Sequence, residues 1–245
     1  MNMRYLGVLA AVALLLVASG AAQATGTVTL KNHVDGRLTD GLITVYGDGF
    51  PNGASGYGGI YEWTTTTPWS GEGPLVPNWG FCIELPQSPV TGLYNVLMPA
   101  EAPLPSQYGT PMGDQKAKYL QELWGERFDP TWLKGLNLAK AEAFSAAVWE
   151  IVYEPYTTNP LTYDVTSAQN GKVDNKFFYA TNVDTATANT WLRSLDGTGP
   201  MADLRALSNT SGQDFLVVVP EPVTMAGVML GIGSVLTYVR KRRMA

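Results

Sequence analysis

Cysteine occurs once in this 245-residue chain, at Cys82, inside Phe81-Cys82-Ile83-Glu84-Leu85. A lone thiol in an oxidising compartment has no internal disulfide partner, so it is free, linked between chains or used chemically. Glu84 follows two residues later, and Glu150 and Glu154 stand four apart in a helical stretch. Such carboxylates could do acid/base work. A charge pair on a solvated helix end is the ordinary reading of the same spacing, and no catalytic residue is assigned. Histidine also occurs once, at His33, which leaves a Ser-His-Asp triad or a histidine-based metal site little to build with. Asp35, Asp40 and Asp48 lie among glycines without the spacing of a calcium loop, so no metal or cofactor is expected. Trp63, Trp69 and Trp79 punctuate a Gly-rich stretch, where indoles either stack on the apolar faces of sugar rings or pin a long loop to its domain.

The elements that would position these residues follow from periodicity. Residues 26–34 and 42–46 alternate apolar and polar as half-buried strands do, with Asp35-Gly36 and Asp40-Gly41 as turn signals. Residues 47–80 have no sustained period and read as a long ordered loop with short strands. Residues 81–85 form a strand carrying Cys82, with 94–98 expected beside it. The period then becomes helical over 114–128, where Gly125 reads as the end. It is helical again over 136–153, where Leu136, Ala139, Ala143, Phe144, Ala147, Val148 and Ile151 share one stripe before Pro155. Residues 161–166 and 177–180 are strand-like or irregular, 186–195 make a third helix, and 214–219 a last strand. The expectation is an α+β body of antiparallel, barrel-like β-sheet with two or three packed helices.

Both ends of the chain read as addresses. Residues 1–24 combine one cation, Arg4, an apolar stretch over 5–17 and small residues ending in Ala22-Gln23-Ala24, the pattern of a secretory signal peptide cut before Thr25 by signal peptidase. At the other end, Pro220-Glu221-Pro222 precedes an uncharged apolar run of 17 residues, 223–239, just long enough for a transmembrane helix. Arg240, Lys241, Arg242 and Arg243 follow, and the positive-inside rule keeps them cytoplasmic and the body outside the inner membrane. The exported domain is therefore residues 25–219. It holds eleven Lys and Arg against twenty Asp and Glu, about nine negative charges net, which argues against nucleic acid as a partner.

The order Pro-Glu-Pro, Gly-dotted apolar span, basic cluster over 220–245 resembles the PEP-CTERM sorting signal of Gram-negative surface and exopolysaccharide-associated proteins. The resemblance implies processing by an exosortase-type membrane enzyme and delivery of the body to the cell surface or the extracellular matrix of a biofilm. A second, weaker resemblance joins Phe81-Cys82-Ile83-Glu84 to Phe144-Ser145-Ala146-Ala147-Val148-Trp149. It looks like the thioester domain of bacterial surface adhesins, where a cysteine and a glutamine condense into a poised electrophile. Laid on that motif, Ser145 stands where the family has glutamine, and a hydroxyl offers no acyl carbon. Gln87, Gln115 and Gln121 have no spacing that brings them to Cys82. A thioester remnant at Cys82 and Ser145 is thus the expectation, in a non-enzymatic structural or adhesive protein. A covalent adhesin using Cys82 and a carbohydrate-binding module are the alternatives, the latter with extracellular polysaccharide as partner.

Overall fold

The computed structural model describes residues 26–37, 41–47, 50–65, 77–104, 111–154, 159–166 and 178–219. Nine strands and three helices alternate along them as an α+β fold: β1 (Gly26–Arg37), β2 (Leu42–Gly47), β3 (Phe50–Tyr57), β4 (Ile60–Thr65), β5 (Trp79–Cys82), β6 (Gly92–Leu97), α1 (Asp114–Arg127), α2 (Leu138–Tyr153), β7 (Tyr179–Thr181), α3 (Thr185–Ser194), β8 (Leu204–Asn209) and β9 (Gly212–Val218). Six strands close into an antiparallel barrel in the order β1-β4-β5-β9-β8-β6, and β3-β2-β7 form a separate three-stranded sheet. Among the described residues no helix is long and apolar enough to cross a membrane. Residues 1–25 and 220–245, with the signal peptide, the sorting motif and the apolar run, lie outside the described residues.

Because every barrel ladder is antiparallel, strand starts and ends alternate around its circumference. One rim carries Gly26, Thr65, Trp79, Leu97, Leu204 and Val218, and the opposite rim carries Arg37, Ile60, Cys82, Gly92, Asn209 and Gly212. The chain therefore enters and leaves the barrel at the same end, and Cys82 lies at the other. Inside, Phe215 packs against Trp63, Tyr61 and Tyr94 at centroid distances of 5.0, 5.5 and 6.2 Å. Gly80 makes room for this, since a Cβ there would lie 2.8 Å from the Trp63 ring and collide with the Leu216 carbonyl. On the outer side of β5, Phe81 meets Trp124, Phe128, Trp132 and Phe144 from the helical layer.

Helix α2 lies between the two sheets, and every residue from Ala143 to Glu154 is buried. Its barrel side touches Phe81 through Phe144, while Tyr153 meets Phe50 of β3 and Phe178 beside β7. Alanines at 141, 143, 146 and 147 keep the helix thin enough to be enclosed. The single apolar stripe expected from the sequence is therefore replaced by burial all round, and its first members, Leu136 and Ala139, are exposed. A helix enclosed in this way needs no polar face.

Other boundaries differ for identifiable reasons. Gly125 does not end α1, which continues to Arg127; its missing Cβ admits the Pro200 carbonyl against the helix. The stretch 47–80 contains β3 and β4 and the start of β5, whose glycines disguise their period. The strand expected over 94–98 is β6, which starts at Gly92, ends at Leu97 and pairs with β1 and β8, so the neighbours of the Cys82 strand are β4 and β9 instead. Residues 160–162 form a 3-10 turn. Strand β8 has no counterpart in the sequence reading, because both its faces are covered and Leu204 through Ser208 are all buried, which erases the alternation that marks a strand.

Candidate functional site at the barrel rim

Cys82 ends β5 with 1% exposure, on the face that also carries Gly80 and lines the barrel. Its thiol donates to the Glu84 carbonyl at 3.2 Å. Burial pushes the thiol far above its usual range, with the carboxylates of Glu84 and Asp214 adding to the rise. A thiol so enclosed is held protonated and weakly nucleophilic at neutral pH, and it does not reach the surface to bridge two chains. The linked-dimer use left open by the sequence is thereby closed.

Ser145, the position aligned with the family's glutamine, sits at the same rim and has a different task. Its Oγ accepts from the Gly59 amide at 2.6 Å and donates to the Ala141 carbonyl at 3.3 Å. Since Ile60 is paired with Phe81, the register continues to Gly59 abreast of Cys82. One turn on, the Trp149 indole N–H donates to the Cys82 carbonyl at 2.9 Å; another turn on, the Tyr153 hydroxyl accepts from the Leu85 amide at 2.7 Å. Three side chains at i, i+4 and i+8 thus tie one edge of α2 to three backbone groups of the rim, at Gly59, Cys82 and Leu85. Ser145 bonds to Gly59 and Ala141 and makes no hydrogen bond to Cys82, so at this rim it acts as one tooth of a structural clamp.

Strand β9 supplies a residue that the sequence reading did not consider. Cys82 is directly paired with Phe215, so Gln213, two residues away, is a diagonal neighbour on the same face. The Gln213 carboxamide nitrogen donates at 2.9 Å to the same Glu84 carbonyl that accepts from the Cys82 thiol. Its Oε1 is buried without a hydrogen-bond partner. Spacing in the sequence gave no signal for this convergence, because the two residues are 131 positions apart and meet only through the β5–β9 ladder. Gln87 is also at this rim, but its amide goes to the Glu84 carboxylate at 2.8 Å. Gln115 is exposed and Gln121 half-buried on α1.

The carboxylates divide into two groups. Glu84 belongs with Asp214 at the rim: burial raises both, Asp214 to about 7, and the Asn209 amide on its Oδ1 at 2.7 Å opposes the rise. Glu150 and Glu154 are elsewhere and, against expectation, are buried at 1% and 3% exposure, because the far end of α2 is itself enclosed. Burial carries Glu150 well above the carboxylate range, while its Oε1 accepts from the Asp164 amide at 2.9 Å. Lys116 completes this cluster, donating to the Val152 and Glu154 carbonyls at 2.8 Å each. Burial lowers its ammonium to about 8, partly offset by Glu154 and Glu150. A cation on the last carbonyls of a helix is a C-terminal cap.

The tryptophans are not presented as a sugar platform. Trp63 is 3% exposed inside the barrel, its indole N–H donating to the Pro77 carbonyl at 3.1 Å. Trp79 is half-buried and stacked on Phe128 at 5.0 Å with 9° between ring planes. Both therefore pin chain to core, and Trp69 lies outside the described residues. His33 and Asp35 fall in β1, where only the backbone is described; Asp40, Asp48, Pro220, Glu221, Pro222, Arg240, Lys241, Arg242 and Arg243 lie outside the described residues. Among the described residues no three His, Cys, Asp or Glu gather as a metal site.

A closed six-stranded antiparallel barrel, clamped at one rim by a buried helix and holding a buried thiol there, is the class of structure defined by these residues. Compared with protein-family models, with curated protein sequences and with solved structures, the chain matches none.

Proposed function

We propose that the chain is the precursor of an exported bacterial surface or extracellular-matrix protein with a structural or adhesive role and no catalysis of its own. Residues 1–24 direct export, and an exosortase-type enzyme processes the tail at 220–222, freeing the body from the inner membrane. One observation carries this reading beyond the sequence: Gly26 and Val218 leave the barrel at the same rim. The Val219 amide is held by the Asp203 carbonyl at 2.7 Å, so the last barrel strand is complete before Pro220. Cutting at either end removes no strand, and a tether at that rim leaves the Cys82 rim pointing away from the membrane. The test is the mass of the protein isolated from its native cells, with and without the processing enzyme. Thr25 as the first residue and loss of 223–245 is the expected result; an intact Met1–Ala245 chain refutes it.

A second reading, a covalent adhesin, is favoured by the shared Glu84 carbonyl alone. Attack of the Cys82 sulfur on the Gln213 side-chain carbonyl would form a thioester, the thiol proton leaving with the amide nitrogen as ammonia. The raised thiol pKa works against this step, which is why it stands second. An intact mass one ammonia low, restored upward by methylamine, would establish it; a thiol that titrates fully on unfolding ends it.

A further inference from the structure

The outer face of the three-stranded sheet has a composition unlike the rest of this acidic body. Its inner face, Ile43, Val45 and Ala180, is buried against the helical layer. The alternate positions point outward: Thr44 pairs with Ser55 on one side and Thr181 on the other, Tyr46 with Tyr179, and Leu42 with Tyr57. No charged side chain occurs among these positions. Tyr46 and Tyr179 are half-buried and stacked at 4.5 Å with 8° between planes. Gly53 lets the Tyr46 ring lie down on the β3 backbone, since a Cβ there would come within 2.7 Å of it, and its φ of +79° suits glycine. Leu42 and Tyr57, at 46% and 38% exposure, form the other end of the face, four residues or about 13 Å along the strands.

We propose that this face binds a neutral polysaccharide strand. Aromatic rings fixed at the two ends offer flat apolar surface to the C–H faces of sugar rings, and the Thr44, Ser55 and Thr181 hydroxyls between them both donate and accept to sugar hydroxyls. The rings lose little conformational freedom on binding because Tyr46 and Tyr179 already restrain each other. An uncharged strip on a body of about nine net negative charges selects against anionic polymers, which the surrounding field repels. The proposal deepens the matrix reading and moves the sugar site from the tryptophans to the tyrosines.

The full chain in detergent micelles is to be co-sedimented with insoluble cellulose, curdlan and chitin, and run in native gels containing alginate or hyaluronate. Retention by at least one of the neutral polymers, with no retardation by the anionic ones, is expected. Tyr46→Ala with Tyr179→Ala should reduce retention at least tenfold, and Ser55→Asp, at an exposed position outside the core, should do the same, because a strongly hydrated carboxylate would have to be desolvated where the polymer lies between the rings. Leu161→Ala, on an exposed 3-10 turn elsewhere, should leave it unchanged. Retention by no neutral polymer overturns the proposal. So does retention indifferent to Ser55→Asp in a variant whose urea midpoint matches the parent, or a face that proves to pair two copies in sedimentation. Binding that fails while cells still process the tail leaves the export reading intact; binding that persists in a chain that is never processed leaves this face standing alone.

Discussion

Glu122 tests whether the packing of the helices onto the barrel is understood. This α1 residue is 1% exposed, and four successive backbone amides converge on its carboxylate. The amides of Thr198 and Gly199 approach Oε1 at 3.2 and 2.8 Å, Gly197 approaches Oε2 at 2.7 Å, and Asp196 lies between the two oxygens at 3.4 and 3.2 Å. The loop leading from α3 to β8 is thus folded around one side chain. Hydrogen bonds to a charged group contribute roughly 1.5–3 kcal/mol each, and bonds sharing one carboxylate do not add. Glu122→Ala should therefore cost about 3–5 kcal/mol, a large part of the roughly 5–15 kcal/mol that holds a domain folded. Glu122→Gln is the sharper variant, because it keeps size and one oxygen. Gly197 and Gly199 bind opposite oxygens, so whichever way the amide turns, its NH2 confronts a backbone donor, and about 2–3 kcal/mol should be lost. Urea unfolding followed by tryptophan fluorescence, with the slope unchanged, reads the difference. A Gln variant within about 0.5 kcal/mol of the parent would mean that water or loop motion already satisfies these amides, and the reasoning would be wrong.

The rim clamp and the buried acids give further expectations. Ser145→Ala strands the Gly59 amide in the interior and should cost about 1–3 kcal/mol, whereas Ser145→Thr, if its methyl is accommodated, keeps the acceptor; denaturant midpoints compare the two. Trp149→Phe leaves the Cys82 carbonyl without its indole donor and should lower stability by about 1–3 kcal/mol with the far-ultraviolet circular dichroism unchanged. Asp214 keeps its proton up to about pH 7 in the folded state and releases it near pH 4 when unfolded, so its contribution to stability falls as pH rises through that interval. Glu84 and Glu150, also raised, act in the same direction, and Asp214→Asn should make the measured fall shallower without abolishing it. Cys82 should ignore a thiol reagent in the native protein and react completely in concentrated urea; rapid labelling of the native state would contradict its burial.

What could be read from the chain and what could not divide along physical lines. Local signals survived: the helical period of 114–128 and 136–153 and the alternation of 26–34 and 42–46 correspond to real elements, whereas the strand expected over 81–85 is displaced to Trp79–Cys82 and shares only Phe81 and Cys82 with it. Signals failed where burial was two-sided. Leu204 to Asn209 has no alternation because neither face meets water, and Glu150 and Glu154 read as a solvated pair because nothing in their spacing reveals the sheet that encloses α2. Glycines misled for a related reason: Gly125 and Gly80 are there for the approach of a distant chain, and such contacts have no local signature. Gln213 was invisible on the same grounds, since its relation to Cys82 is created by the register of two strands far apart in sequence.

The contacts of α2 at the Cys82 rim account for the residue types along that edge of the helix without any chemistry. One edge carries Ser145, Trp149 and Tyr153, bonded in turn to the Gly59 amide, the Cys82 carbonyl and the Leu85 amide. Leaving any of those groups unpaired would cost about 1–3 kcal/mol, so the clamp is maintained by stability whether or not chemistry occurs beside it. Ser145 is small enough to reach Gly59 from inside a helix packed through alanines. Ser145 is therefore the residue that fits this junction, while the carboxamide that shares the Glu84 carbonyl with the Cys82 thiol belongs to Gln213 on β9.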